Sequence, residues 1–349
     1  MTTAARIVVQ ENVGEPFEIV DVELPDPSGH EVLVRIKSTG VCQSQIFWST
    51  QPHAEPMLFG HEALGVVDSV GANVTWVTPG QAVLVTWIPR DDERVPEIGT
   101  VVLPDGRTAT APNIYTWGTH VIVDELYVVA VNDSADRDVS AVVACAVLTG
   151  AGAVKRTAAI ESGSTVAVIG LGGVGLSAVV AAREVGASQV IAVDLSDEKL
   201  EFAERFGATT GINGRTEDVV ARILELTGGV DYVIDCVTND HTVEQGLSSL
   251  RKGKVGVNRG GSHVLVGIPE KPLTISTRPM LLGEFDLIGT LGGSSLQADV
   301  HEYLDWAAGG TLDLETMITN RYTFEDVVEA MDDLNSGKVL GRSILVLDD

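Results

Sequence analysis

VAVIGLGGVGLSA, residues 166–178, sets Gly170, Gly172 and Gly175 in a G-x-G-x-x-G array between two apolar runs. The valine-rich run before the array reads as a buried strand. GVGLSAVVAAREVGA reads as a helix that opens at the array. In that setting each glycine has a task. Gly170 allows the tight turn, Gly172 lets the backbone approach a pyrophosphate, and Gly175 lets the helix pack close to the strand. The backbone at Gly173 and Val174 then faces the same anion from the helix N-terminus.

The next strand, QVIAVDLS, carries Asp194, 24 positions after Gly170. A carboxylate at a strand end can accept both hydroxyls of a ribose and repels a 2′-phosphate, which favours NAD over NADP. Lys199 sits where it can cover the adenosine ribose, and Val266, in SHVLVGI, is a further cofactor-binding position. Apolar strands alternate with amphipathic helices through this region: DEKLEFAERFGA, EDVVARILELTGG and HTVEQGLSSLRKG as helices, VDYVIDCV and SHVLVGI as strands. That alternation predicts a doubly wound parallel sheet covered on both faces, a Rossmann domain over 151–289.

The first 130 or so residues read differently. ARIVVQ, HEVLVRIK, EALGVVDSVG, GQAVLVTW and WGTHVIVDELYVVAV are short Val- and Ile-rich runs bounded by Gly, Pro, Asn and Asp. They predict an antiparallel barrel or sandwich. SAVVACAVLTGAGAVKRTAAI reads as a helical passage into the alternating region. LQADVHEYLDWAAGG and FEDVVEAMDDLNSG read as late helices and RSILVLDD as a final strand that returns to the first domain. The fold class is therefore α/β with a β-barrel unit.

The chain has 349 residues, 44% hydrophobic and 21% charged, with 49 acids against 23 Lys and Arg and a formal net charge of −26. So acidic a chain lacks the basic footprint of a nucleic-acid binder. The excess fits a salt-loving source, where screening weakens self-repulsion. No run reaches the ~18 apolar residues a membrane helix needs, and MTTAARIVVQ shows no secretory pattern. Three scattered cysteines make no disulfide framework and fit a reducing compartment. These features predict a cytoplasmic protein with no membrane partner.

Two of those cysteines invite a second reading. Cys42, in TGVCQSQIF, stands near a glycine and two residues before Ser44. His61 and Glu62 follow Gly60 in PMLFGHEALGVV, and Cys145 lies in ACAVLTGAGAV. Two thiols and an imidazole suit zinc, with Glu62 in reserve. A buried cysteine is also commonly an inert core thiol, as we read Cys236, and these three residues are far apart in sequence. The residues alone leave both readings open.

GVCQSQ, FGHEALGVVDSVGANVTWVTPGQAV, ACAVLTGAGAV, VAVIGLGGVGLSA, LTGGVDYVIDCV and DLNSGKVLGRSILVL occur in one order along the chain. As a set they resemble the zinc-dependent, medium-chain alcohol dehydrogenases. The resemblance implies a GroES-like barrel domain from residues 1–150 and 290–349, enclosing the Rossmann domain. It implies a catalytic zinc on Cys42, His61 and Cys145, with Glu62 nearby. It implies hydride transfer between a small alcohol or aldehyde substrate and NAD, with Ser44 taking the alcohol proton. Phe47, Trp48, Trp87, Tyr115 and Trp117 would line an apolar substrate pocket. The resemblance also implies a homodimer or homotetramer, paired through the strand near FDLIGTLGG.

Three departures modify that picture. The stretch PRDDERVPEIGTVVLPDGRTATAPNIYTW has no cysteine, which excludes a four-cysteine structural zinc there and leaves that lobe to packing alone. Gln45 stands where relatives often have an aspartate behind a zinc ligand, and Phe47 stands where many have a proton-relaying histidine, which leaves His53 as a substitute exit. Gln43 replaces a cation near the pyrophosphate, which leaves Arg342 for the phosphates. Other activities on the same fold are a thiol-adduct formaldehyde dehydrogenase, a polyol dehydrogenase and a zinc-free double-bond reductase.

Overall fold

The computed structural model describes residues 2–347 apart from 92, 133, 134 and 136. The chain forms two compact units, one from Met1–Cys145, Leu296–Ala308 and Leu314–Asp349, the other from Ala146–Ser295 and Gly309–Asp313. The notional divisions at 150/151 and 289/290 differ from these, since the breaks fall after Cys145 and after Ser295, and Gly309–Asp313 joins the second unit. Among the described residues no single helix is long and apolar enough to cross a membrane.

In the second unit six strands form one parallel sheet. Across it they run Thr210–Asn213, Gln189–Asp194, Thr165–Ile169, Tyr232–Asp235, Ser262–Leu265 and Asp286–Gly289. This is the doubly wound order, and its direction reverses beside Thr165–Ile169, the strand that feeds the glycine array. Val166, Ala167 and Val168 are fully buried, as a strand covered on both faces requires. The helices start where side chains cap them. Ser196 accepts from Lys199 N–H, Asp218 from Ala221 N–H, and Asn239 forms a capping box with Thr242.

The first unit holds two sheets. One runs Glu18–Pro25, Thr2–Gln10, Met57–Leu58, Thr108–Thr110, Thr100–Val102. The other runs Val128–Ala130, Ala82–Thr86, Glu62–Val70, Glu31–Val41, Arg342–Val346, Ile318–Thr323, with His120–Asp124 also paired to Glu31–Val41. The run WGTHVIVDELYVVAV is not one strand. Asp124 accepts the Leu126 N–H and closes a 3-10 turn over Glu125–Tyr127, which splits it in two. The passage read as one helix is a 3-10 segment Asp138–Ala144, an α-helix Ala146–Gly152 and a π-turn Ala153–Thr157. The break falls at Cys145, whose backbone is non-helical. Elements that went unread in the sequence include strand Glu18–Pro25, the hairpin Thr100–Val102/Thr108–Thr110, helix Gln43–Ser49, strand Thr210–Asn213 and helix Thr277–Gly283.

The cysteine-free lobe corrects one expectation, because packing does not hold it alone. Arg94 forms a two-pronged ion pair with Asp124 at 2.5 and 2.6 Å. Glu97 N–H donates to the same carboxylate at 3.1 Å, and Leu126 N–H to its other oxygen at 2.8 Å. Behind it Glu125 accepts from the Thr75 and Trp76 N–H groups and pairs with His30. The Asp124 side chain is 1% exposed. Burial pushes its carboxyl up, but Arg94 and the two N–H groups outweigh that and hold it below the usual carboxylate range. A charged clamp therefore ties the lobe to the barrel.

Removing Arg94 strands a buried carboxylate, so Arg94→Ala is expected to lower unfolding stability by about 3 kcal/mol. A group with a depressed pKa stabilises above its unfolded value and loses that contribution as pH falls through the folded one. The Tm gap between wild type and Arg94→Ala should be full at neutral pH and narrow below about pH 4. A gap that stays constant with pH would rule out this clamp.

Candidate metal centre and cofactor cradle

Three separate elements bring the candidate ligands together. Strand Glu31–Val41 ends at Val41, and Cys42 then opens helix Gln43–Ser49. His61 precedes strand Glu62–Val70, which pairs antiparallel with Glu31–Val41, Thr39 facing Ala63. That register sets 61 and 62 beside 40 to 42. Cys145 follows the 3-10 segment, which is pinned at both ends to the barrel. Ser38 Oγ donates to the Asp138 carbonyl at 2.8 Å and Thr86 Oγ1 to the Ala144 carbonyl at 2.6 Å. One ligand atom each from Cys42, His61 and Cys145 lie within 4.8 Å of one another, with His61 Nε2 3.2 Å from Cys145 Sγ.

The electrostatics around these atoms are concentrated. A hydrogen bond from the Cys145 thiol, helped by Arg342 and His61, holds the Cys42 thiol well below its ordinary range against the cost of burial. The same pairing, with burial, pushes Cys145 up. Glu62 is fully buried and its carboxyl is raised by burial, although Arg342 opposes this. Two buried soft sulfur donors and an imidazole nitrogen, closely spaced and with a carboxylate behind them, fit a zinc ion of tetrahedral preference.

Arg342 belongs to this cluster as well. Its side chain is only 6% exposed and its guanidinium is bonded to Glu62. It also acts on Cys42 and Cys145. Its strand, Arg342–Val346, pairs with Glu31–Val41, Ile344 facing Gly40, which turns the side chain inward. Gly40 makes room there, because a Cβ on it would stand 2.2 Å from Glu62 Oε1.

Behind His61 lies Gln45, itself buried. Its Oε1 accepts the Gly60 N–H at 2.7 Å, and its Nε2 lies 2.5 Å from His61 Nδ1. The glycine before His61 is required twice over. Its φ is +86°, and a Cβ would stand 2.6 Å from the Trp117 backbone nitrogen. The sequence singled out Gly60 and Gln45 but gave no sign that they touch.

Beside His61 a small cleft is lined by Gln45, Trp48, Leu58, Phe59, Asn113 and Ile114. Leu58, Phe59, Asn113 and Ile114 were missed in the sequence, because only the hairpin brings 112–114 to this side. Phe47 packs edge-on against Trp48 with centroids 5.3 Å apart. Trp87 is half-buried and its carbonyl accepts from Asn113 Nδ2. Tyr115 and Trp117 do not line this cleft. Both are 0% exposed in the barrel core, where Tyr115 Oη accepts the Ile122 N–H and Trp117 Nε1 donates to the Gly40 carbonyl. Ser44 is half-buried and makes no hydrogen bond to another described residue. His53 Nδ1 faces the Glu55 carbonyl.

In the second unit the glycine array has the geometry of a phosphate cradle. Gly170 has φ +85°, and a Cβ on Gly175 would stand 1.9 Å from the Gly170 oxygen. At Gly172 the corresponding space is empty, and no side chain caps helix Gly173–Glu184. The helix N-terminus is thus left for an anion. Asp194 folds back on the turn, accepting from the N–H groups of Leu171, Leu195 and Ser196. Lys199 is half-buried one turn into the next helix, and Val266 is buried with its N–H on the Asp235 carbonyl.

Residues 28–133 match the model of the alcohol dehydrogenase GroES-like domain, and residues 173–309 match that of the zinc-binding dehydrogenases. The chain is 31% identical to an S-(hydroxymethyl)glutathione dehydrogenase of Paracoccus denitrificans, over 99% of this chain and all of that one. The chain belongs to the zinc-dependent medium-chain alcohol dehydrogenase family. An S-(hydroxymethyl)glutathione dehydrogenase of Saccharomyces cerevisiae is 30% identical, covering 96% of this chain and 94% of its own. Among solved structures, an alcohol dehydrogenase zinc-binding domain protein from Burkholderia ambifaria superposes with a TM-score of 0.89 at 28% identity, both chains covered fully. Benzyl alcohol dehydrogenase from Acinetobacter calcoaceticus gives 0.88 at 25%, covering 99% of this chain and all of that one. As a family member the chain is an oxidoreductase that interconverts an alcohol with an aldehyde or ketone.

Gly60→Ala combines a strained φ with a backbone collision. It is expected to cost roughly 2–4 kcal/mol of stability, read by denaturant unfolding. A variant as stable as wild type would show that this turn relaxes freely.

Proposed function

We propose that this dehydrogenase oxidises an apolar primary or secondary alcohol reversibly with NAD, using one zinc ion per subunit held by Cys42, His61 and Cys145. The convergence of two thiols and an imidazole within 4.8 Å carries the reading. The cysteine-free lobe, clamped by Arg94 and Asp124, supports a single metal site. Zinc supplies a Lewis acid for the alcohol oxygen, and NAD supplies the hydride acceptor.

The chain's own residues then have distinct tasks. Ser44 offers a hydroxyl with no hydrogen-bond partner among the described residues, free to accept a hydrogen bond from the alcohol. Half-buried Trp48 stands in the cleft beside His61, where it would keep water from the carbon that gives up hydride. Glu62 and Arg342 neutralise each other directly behind the sulfurs. In the second unit the open space at Gly172 admits a pyrophosphate, with Gly173 and Val174 at the helix start. Asp194 keeps lone pairs for a ribose, with Lys199 and Val266 flanking the site.

Metal analysis is expected to find one zinc per chain. Dialysis against a strong chelator should abolish turnover, and zinc should restore it. Cys42→Ser should lose roughly 1,000-fold or more in kcat/KM, as several kcal/mol of charge stabilisation implies. Turnover that survives chelation would favour a zinc-free double-bond reductase. Two tightly held zinc ions per chain would refute the single site. NAD should outperform NADP.

The curated relatives' names favour a second substrate, S-(hydroxymethyl)glutathione. Trp48 at the cleft, with Phe47 packed against it, argues for benzyl-type alcohols instead. Side-by-side kcat/KM for the two decides between them.

We further propose a homodimer or homotetramer paired along the edge strand Asp286–Gly289. This strand ends its sheet next to Leu281 and Leu282, which are 77% and 72% exposed. Leu281→Asp should shift the mass measured by light scattering toward one chain. An unchanged mass would discard this edge as the contact.

A further inference from the structure

His61 faces two partners whose demands conflict. Its Nε2 lies 3.2 Å from Cys145 Sγ, so Nε2 is the nitrogen on the metal side. Its Nδ1 lies 2.5 Å from the Gln45 side-chain nitrogen. The amide cannot present its oxygen there, because Gly60 N–H, which can only donate, points at that oxygen from 2.7 Å. The Gln45 NH2 group therefore donates to Nδ1. A nitrogen that accepts this bond carries no proton, so the neutral ring keeps its proton on Nε2, toward the sulfurs. A neutral imidazole that ligates through Nε2 keeps its proton on Nδ1 instead. That N–H would meet an NH2 group, two donors with no acceptor between them. Gln45 is 3% exposed, so the mismatch is buried.

We propose that Gln45 is a positioning residue that opposes metal loading. Filling the Cys42–His61–Cys145 centre then requires the Gln45 amide to turn, so that its single oxygen leaves or shares the Gly60 N–H and accepts from His61 Nδ1. The ring holds one proton in both states, and only its seat changes. The inference rests on the metal-centre reading above. A carboxylate of the same length has an oxygen for each donor, so Gln45→Glu removes the conflict.

The test uses the whole protein with 15N-labelled histidine rings, of which there are seven, and with labelled backbone amides. Spectra are taken before and after zinc is added. His61 is assigned by its absence in His61→Asn. In metal-free wild type the His61 proton is expected on Nε2. After zinc it should sit on Nδ1, with the Gly60 amide proton moving upfield as its bond weakens. In Gln45→Glu the Gly60 amide should be indifferent to zinc, and chelator competition should give zinc affinity about 10–100-fold tighter than wild type. A residue serving only as packing would leave the Gly60 signal indifferent to zinc. A proton already on Nδ1 without metal, a Gly60 signal that ignores zinc in wild type, or a Gln45→Glu affinity no tighter than wild type overturns the inference. In the second case the metal-centre reading still stands. Zinc that leaves the His61 ring untouched sinks the metal-centre reading and this inference together.

Discussion

The buried pair of Glu62 and Arg342 sets the terms for everything near the sulfurs. A lone carboxylate with no exposure would protonate, and a lone guanidinium would be prohibitively costly. Together they are neutral, and the two thiols beside them are neutral when protonated. A divalent cation with two thiolates is neutral as well. The pair therefore adds no net charge of its own behind the sulfurs, and Arg342 also favours the thiolate form of Cys42 that a metal needs. Gly40 keeps this possible, since any side chain there would displace the carboxylate.

Strand Glu31–Val41 organises the first unit. It pairs with Glu62–Val70, Arg342–Val346 and His120–Asp124, so Cys42, His61, Glu62 and Arg342 share one register. A slip by one residue would turn every side chain to the opposite face and scatter the donors. Ser38, on the same strand, also anchors the segment that delivers Cys145. The site is thus as stable as a strand buried in a core, and no flexible loop has to find its place.

The second unit was legible in most of its elements, though strand Thr210–Asn213 and helix Thr277–Gly283 went unread. Apolar runs of strand length alternating with capped helices admit few arrangements, and the glycines at 170 and 175 have collisions that explain them. The first unit was legible in outline only. Cys42, His61 and Cys145 were visible as residue types, and only resemblance to a family suggested that they meet. The pairing of Arg342 with Glu62 was not legible, because the two lie 280 residues apart along the chain. Tyr115 and Trp117 were taken for cleft residues because an aromatic side chain looks alike in sequence whether it lines a pocket or fills a barrel. The Arg94–Asp124 clamp was invisible for a similar reason. In so acidic a chain one more aspartate looks like a solvated surface, and only the turn at 124–127 puts it inside.

The late arrival of Arg342 has a consequence for synthesis. At roughly 5–20 residues per second, a ribosome needs on the order of 15 to 60 s between Glu62 and its partner. Throughout that interval the nascent barrel lacks a strand on one side of Glu31–Val41, and the carboxylate lacks its cation. A message cut short before codon 342 would yield a product that carries all three donors and the entire dinucleotide-binding sheet, yet leaves Glu62 without its guanidinium. Quality control would meet such a fragment as a half-closed barrel with reactive thiols near its open flank.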